Sequence, residues 1–154
     1  MKCFGLIGNP LGHSFSPLIH KHLFGIKNID ASYKLLETTP ENLKKRIDEL
    51  KSGEYDGFNV TIPYKIEIMK YLDEISPEAL AIGSVNTICM KNGKVVGYNT
   101  DYFGFKRELE YYNIKVEKQN AYVLGTGGAS KAITKALENM NANVTLVSRH
   151  PKNN

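Results

Sequence analysis

Three times in its first half the chain sets a hydroxyl-bearing residue directly before proline: Ser16-Pro17, Thr39-Pro40 and Ser76-Pro77. This is the grammar of a helix start. The hydroxyl can accept one of the orphan N–H groups of the first turn, and proline at the first helical position forfeits no hydrogen bond. The first two dipeptides follow strand-like runs, at residues 3–8 and 31–37. After Ser16-Pro17 come Leu18, Ile19, Leu23, Phe24 and Ile26, with glycine and asparagine near 25–28 to end the helix. After Thr39-Pro40, Leu43, Ile47 and Leu50 follow at helical spacing, and Gly53 closes. Strands alternating with helices predict an α/β fold.

The remainder of the chain continues the alternation. Residues 57–62 read as a short strand that stops at Pro63, and a helix is predicted from about 64 to 72. Ser76-Pro77 starts another, ending near Ile82. Asn92-Gly93 is a strong two-residue hairpin signal between strands at 87–90 and 94–98. Asn99-Thr100-Asp101 caps a helix carrying Phe103, Phe105, Leu109 and Tyr112, with Asn113 as a left-handed stop. An apolar strand at 121–124, the loop Gly125-Thr126-Gly127-Gly128-Ala129-Ser130, a helix over 131–140 and a strand over 143–147 complete the pattern. There is no internal repeat and no abrupt change of composition.

Composition restricts the functional classes. Of the 154 residues 42% are apolar and 23% charged, and the net charge is +4, the profile of a soluble globular domain. The densest basic run, Lys44-Lys45-Arg46, is flanked by Glu41, Asp48 and Glu49, as expected of a solvated helix face rather than a nucleic-acid surface. No apolar run approaches the roughly 20 residues of a membrane span, and the N-terminus lacks a signal peptide's apolar core. Cys3 and Cys89 have no metal-ligand spacing and read as free, buried thiols of a reducing cytoplasm. No metal, membrane or nucleic-acid partner is expected.

Four stretches carry chemistry. In residues 57–65, polar Asn59 and Thr61 alternate with Phe58, Val60 and Ile62, so the polar pair share one strand face and Lys65 lies just past the strand's carboxyl end. Open α/β sheets bind ligands at that end. Taken alone, Lys65 is equally a surface lysine, Asp101 a first-turn acid complementing a helix dipole, and Asn86 a polar group at a strand edge. Ser14 and Ser16 place two hydroxyls before a helix, where they can hold a carboxylate; Ser16 alone is an ordinary cap. His13 beside them is read as structural. The glycine loop follows a strand and opens a helix, the setting in which backbone N–H groups receive a pyrophosphate, although Ser130 stands where a third glycine would be. At the end of the following strand, Ser148-Arg149-His150 and Lys152 replace the acidic residue an NAD site would use. An arginine there can fork a 2′-phosphate, which favours NADP; an exposed basic end is the plainer alternative.

Together these motifs resemble a known family. Gly-Asn-Pro-Leu-Gly-His-Ser-Phe-Ser-Pro at 8–17, Asn-Val-Thr-Ile-Pro-Tyr-Lys at 59–65, Gly-Ser-Val-Asn-Thr at 83–87, Asn-Thr-Asp at 99–101 and Gly-Thr-Gly-Gly-Ala-Ser at 125–130 are similar, in order and spacing, to shikimate dehydrogenase. The resemblance implies reversible reduction of 3-dehydroshikimate to shikimate with NADPH, on the route to chorismate and aromatic amino acids. It implies that Ser14 and Ser16 bind the substrate carboxylate, that Asn59, Thr61, Asn86 and Asp101 bind ring hydroxyls, and that Lys65 and Asp101 act at the reacting oxygen. Gly125, Thr126, Gly127, Gly128 and Ala129 would cradle the pyrophosphate, and Ser148, Arg149 and Lys152 the 2′-phosphate end of the cofactor. Ser148 and His150 depart from the family's usual Asn-Arg-Thr. The implied organisation is an open mixed-sheet substrate domain over 1–100, a connecting helix and linker over 101–118, and the first βαβ of a Rossmann-like NADP-binding domain over 119–154. After Gly125 there is room for one helix and one strand of a doubly wound unit, so the chain is expected to be truncated and weakly active or inactive alone, as a monomer or homodimer. A quinate- or NAD-using relative and a non-catalytic module binding a shikimate-like ligand are the alternatives.

Overall fold

The computed structural model describes residues 1–149. Its larger sheet holds β1 (Lys2–Gly8), β2 (Ala31–Glu37), β3 (Gly57–Val60), β4 (Glu74–Ile75), β5 (Thr87–Lys91) and β6 (Lys94–Tyr98), in the spatial order β2-β1-β3-β5-β6-β4. β1 pairs in parallel with β2 and β3, β5 runs antiparallel to both β3 and β6, and β4 is parallel to β6. Five helices accompany these strands: α1 (Ser16–Ile26), α2 (Leu43–Lys51), α3 (Pro77–Ile82), α4 (Asp101–Tyr111) and α5 (Gly128–Asn139). A second, two-stranded parallel sheet joins β7 (Asn120–Leu124) to β8 (Asn143–Val147) through α5. The mixed α/β architecture followed by a βαβ unit is the one the sequence predicts.

This topology puts one edge of the large sheet to use. β1, β2 and β3 all end there, β5 begins there, and β6 returns to it before α4. Five connecting segments therefore converge on one edge; they contain Ser14, Thr38, Thr61 and Lys65, and Asn86, and lead into helices that begin with Ser16 and Asp101.

The core below that edge is built from Ile7, Phe58, Val60, Ile88 and Val95 of the strands and Leu43, Ile47 and Leu50 of α2. Burying each such apolar side chain stabilises the fold by about 1.5–3 kcal/mol. Leu109 of α4, Val123 of β7 and Leu137 of α5 form a separate, smaller cluster. α1 differs from α2: it buries none of its residues, and Leu18, Ile19, Leu23 and Ile26 are exposed.

Several local expectations hold. Ser76 caps α3 by accepting the Ala79 N–H at 3.2 Å. Asn92 and Gly93 have φ of 52° and 76°, the positive pair that a type I′ hairpin turn requires. Asn113 is left-handed after α4, with φ 54°. Lys44 pairs with Asp48 on the solvated face of α2, whereas Arg46, expected on that face, is largely buried and paired with Glu49.

Others need correction. Ser16 is not a cap: α1 begins at Ser16 itself, Phe15 precedes it, and no side chain caps the helix. Residues 64–72 are not an α-helix but a turn followed by a 3-10 helix, Glu67–Tyr71. The Lys65 carbonyl there accepts the Val85 N–H at 2.8 Å, a long-range tie that takes the group an α-helix would use. The two-residue strand β4 has no periodicity to announce it. α5 starts at Gly128, three residues before the predicted start, because glycine is tolerated in a first turn, where its N–H needs no helical partner. Cys3 and Cys89 are free but only partly buried. No helix among the described residues is long and apolar enough to cross a membrane.

Candidate active site

The turn after β3 is fastened before it presents Lys65. Tyr64 is buried and its hydroxyl donates to the Thr38 carbonyl at 2.6 Å. Thr61 N–H donates to Ile7 O at 2.8 Å and Tyr64 N–H to Thr61 O at 2.9 Å. Gly8 permits the close approach of β1 to this turn, since a Cβ there would collide with the Thr61 methyl and lie 2.7 Å from Leu11 Cδ2.

From that platform Lys65 Nζ donates to Asp101 Oδ2 at 2.6 Å, with the two side chains 13% and 30% exposed. Asp101 opens α4, where the helix dipole favours a carboxylate. Its other oxygen, Oδ1, accepts from Asn86 Nδ2 at 2.7 Å. Asn86 is buried, and its second amide hydrogen goes to Thr100 Oγ1 at 2.9 Å. Its carbonyl oxygen accepts from Thr100 N–H at 2.8 Å and from Thr87 Oγ1 at 3.0 Å. With both hydrogens and the carbonyl engaged, Asn86 fixes Asp101 relative to β5.

The network runs on from there. Asn59 Nδ2 donates to Thr87 Oγ1 at 3.2 Å, and Asn59 Oδ1 accepts from the Tyr33 hydroxyl at 2.8 Å. Burial pushes the Tyr33 phenol up to about 12, and the nearby Ser16 side chain partly offsets this. His20 stacks on Tyr33 with ring centroids 3.9 Å apart. Its Nδ1 lies 2.9 Å from Ser16 O, and because a carbonyl only accepts, Nδ1 carries the hydrogen. Ser14 Oγ donates to Ser16 Oγ at 3.1 Å and accepts Ser16 N–H at 3.2 Å. A continuous hydrogen-bonded path thus joins Tyr33 to Lys65 through Asn59, Thr87, Asn86 and Asp101, and Ser16 and Ser14 lie beside its Tyr33 end. Thr61 is half-buried at the same edge, and His13 is exposed beside the serines.

Residue singling by sequence missed Tyr33, His20, Thr87 and Thr100. Thr87 and Thr100 stood inside the motifs quoted for their neighbours. Tyr33 and His20 had no local signal, because their partners lie on other elements.

The glycine loop faces the same region. Gly125 has φ +105°, which favours glycine. Nothing lies within 4 Å of a Cβ placed on Gly125 or Gly127, and Gly125, Thr126, Gly127 and Ala129 are exposed. α5 has no acidic residue in its first turn, so its N-terminal N–H groups are suited to a phosphate. Ser130, in the third-glycine position, is buried and donates to Gly127 O at 2.8 Å. Gly128 is half-buried against Lys65 and Ser84. Arg149 is exposed beyond β8, next to half-buried Ser148. His150 and Lys152 lie outside the described residues.

The chain is similar to known proteins over nearly its whole length. The family model described as the shikimate dehydrogenase substrate binding domain matches residues 6–88. A shikimate dehydrogenase (NADP(+)) of Clostridium perfringens is 49% identical over 97% of this chain and 55% of its own length. The crystal structure of shikimate dehydrogenase 1 from Peptoclostridium difficile superposes with a TM-score of 0.93 at 45% identity, over 98% of this chain and 58% of that one. The Thermus thermophilus shikimate 5-dehydrogenase in complex with NADP(H) and shikimate gives 0.90 at 34% identity, over 98% and 57%. The chain spans about half the length of the curated relatives it matches. Because the family model covers the segment that carries Ser14, Ser16, Asn59, Thr61, Lys65 and Asn86, and the solved relatives share the fold on both sides of it, the chain belongs to the shikimate dehydrogenase family.

Proposed function

We propose that the protein carrying this chain reduces 3-dehydroshikimate reversibly to shikimate with NADPH, within the route to chorismate. The observation that carries the reading is the part-buried Lys65–Asp101 contact of 2.6 Å beside the start of α5. An ammonium and a carboxylate held together at a ligand-binding sheet edge, next to a phosphate-receptive helix, suit proton transfer coupled to a nicotinamide reaction. The relatives' names, which specify NADP(+), and the Thermus structure with NADP(H) and shikimate support the same assignment.

In this reading Ser14 and Ser16 donate to the substrate carboxylate, and hydrogen bonds to a charged group are the strong ones. Asn59, Thr61, Asn86 and Asp101 hold ring hydroxyls. In reduction the Lys65 ammonium gives a proton to the carbonyl oxygen; in oxidation the neutral amine takes the hydroxyl proton. Asp101 orients Nζ throughout. Bound NADPH supplies the hydride to the carbonyl carbon. Residues 125–129 hold its pyrophosphate, and Ser148, Arg149 and Lys152 receive the 2′-phosphate. Residues 1–100 then form the substrate domain, 101–118 the connection and 119–154 the part of the cofactor domain present in this chain.

The test is NADPH oxidation by 3-dehydroshikimate in the whole protein. Lys65→Ala is expected to lower kcat by about 10²–10⁴-fold, the usual share of a positioned acid–base group, with a smaller change in KM. Near-normal kcat in that variant would sink the assignment.

A further inference from the structure

Gly128 is the first residue of α5 and rests on the side chain of Lys65. A Cβ built on it would lie 2.7 Å from Lys65 Cβ, 3.1 Å from Lys65 Cδ and 2.8 Å from Ser84 Oγ. Carbon atoms pack at about 3.5–4.0 Å, so no side chain fits at position 128 unless the loop or the lysine moves. Gly125 and Gly127 meet nothing within 4 Å at the same position. The three glycines therefore divide: two look out toward open space, and one looks inward at the acid–base group.

A second contact lies one turn along the same helix. Lys131 Nζ is 3.5 Å from a Cβ built on Gly83, the left-handed residue (φ +69°) that ends α3. Positions 128 and 131 share a helix face. α5 therefore bears at once on Lys65 and on the segment 83–86 that leads to Asn86. Lys65 is tied at both ends, by its carbonyl to Val85 N–H at 2.8 Å and by Nζ to Asp101. Between those ties runs a flexible stem, and Gly128 packs against it.

We propose that Gly128 is a positioning residue: its bare Cα holds the Lys65 stem in the rotamer that delivers Nζ to Asp101. The loop read as receiving the cofactor then also sets the geometry of the proton donor. The proposal rests on the reading of Lys65 as the acid–base group, but its structural part is tested without turnover.

The experiment is NMR of the whole protein with 13C-labelled lysine, the Lys65 Cε signal being identified by its loss in Lys65→Arg. In the unaltered protein, nuclear Overhauser contacts are expected between Gly128 Hα and the Lys65 β and δ protons. In Gly128→Ala the Lys65 signal should move toward those of the exposed lysines while the others stay. Turnover should fall by roughly 10- to 100-fold, the scale of an ångström's misplacement, with KM for the substrate within about threefold, the pattern of an interaction made in the transition state. Gly127→Ala should leave the Lys65 signal unmoved, whatever it does to cofactor binding. Adding Ser84→Ala to Gly128→Ala removes the Oγ contact but not the lysine contact, so it should not restore the signal. An unmoved Lys65 signal in Gly128→Ala, or its restoration by Ser84→Ala, overturns the proposal. Should Gly128→Ala fail to fold, the Overhauser contacts decide: their absence overturns it and their presence upholds it. If the unaltered protein does not turn over dehydroshikimate, the functional reading fails, and the NMR arms still judge the packing.

Discussion

Tyr33 stands between Ser16 and Asn59, and its phenol is raised from 10.0 to about 12 chiefly by burial. The folded chain thus holds this proton more tightly than the unfolded one. The contribution is fully present below the unfolded value near pH 10 and is lost as pH rises through about 12. Burial also raises Tyr55 and Tyr64, so the comparison must be with Tyr33→Phe. The urea midpoint of the unaltered chain should fall more steeply over that alkaline window than that of the variant, and parallel curves would refute it. The same substitution breaks the link to Asn59 and should raise KM for the substrate by about 2- to 10-fold, as expected for a hydrogen bond worth roughly 0.5–1.5 kcal/mol. Ser84 gives the opposite expectation. Its hydroxyl is buried and, among the described residues, has no hydrogen-bond partner. Ser84→Ala should therefore keep or raise stability, by up to about 1 kcal/mol, as read by urea unfolding; a loss of that size would show that Oγ has a partner. Lys65, Asn86 and Asp101 were legible because each sits in a short motif at the end of an element. Tyr33 was not, since it bonds a residue 26 positions away and its own segment reads only as a strand.

At the scale of elements, the junction of β1 with the turn after β3 leaves no room for a side chain at Gly8. A Cβ on Gly8 would meet Leu11 Cδ2 at 2.7 Å and the backbone oxygen of Ile62 at 3.0 Å, besides the Thr61 methyl. Backbone cannot retreat as a side-chain tip can, so Gly8→Ala should cost about 1–3 kcal/mol by overpacking. Denaturant unfolding measures this, and an unchanged midpoint would mean that the strand ends part readily. Helix starts were read with mixed success: Ser76 caps as its position implies, whereas the Thr39 side chain caps nothing and its proline opens a 3-10 turn, Pro40–Asn42, ahead of α2. Ser16 has the same signature yet caps nothing, because the helix begins at Ser16 itself and its hydroxyl is engaged with Ser14. A local rule gave way there to the network of the site. The missing helix at 64–72 has a similar cause, in the pull of Val85 on the Lys65 carbonyl.

The whole molecule has two cores of unequal size. The larger sheet rests on a broad cluster from Ile7 to Val95, whereas among the described residues β7, α5 and β8 bury fewer apolar side chains, Val123, Ala132, Ala136 and Leu137, against Leu109 of α4. Regions with fewer buried contacts open more readily. Amide hydrogens of β7 and β8 in this chain should therefore exchange faster than those of β1 and β3; equal protection would mean that the molecule unfolds as one unit. The division into a large mixed sheet and a βαβ unit was legible from strand–helix order, but the face on which the two meet was not, because it depends on Gly128 and Lys131 reaching residues far away in the chain. One further consequence follows from the place of Asp101. It is both the first residue of α4 and the partner of Lys65, and α4 is joined to α5 through the Leu109–Leu137 cluster and the Asn139–Tyr102 hydrogen bond of 3.0 Å. A swing of the smaller unit about the foot of α4 would leave the Asp101 carboxylate beside Lys65, because Asn86 anchors it to the larger sheet, and would part Gly128 from the lysine stem instead.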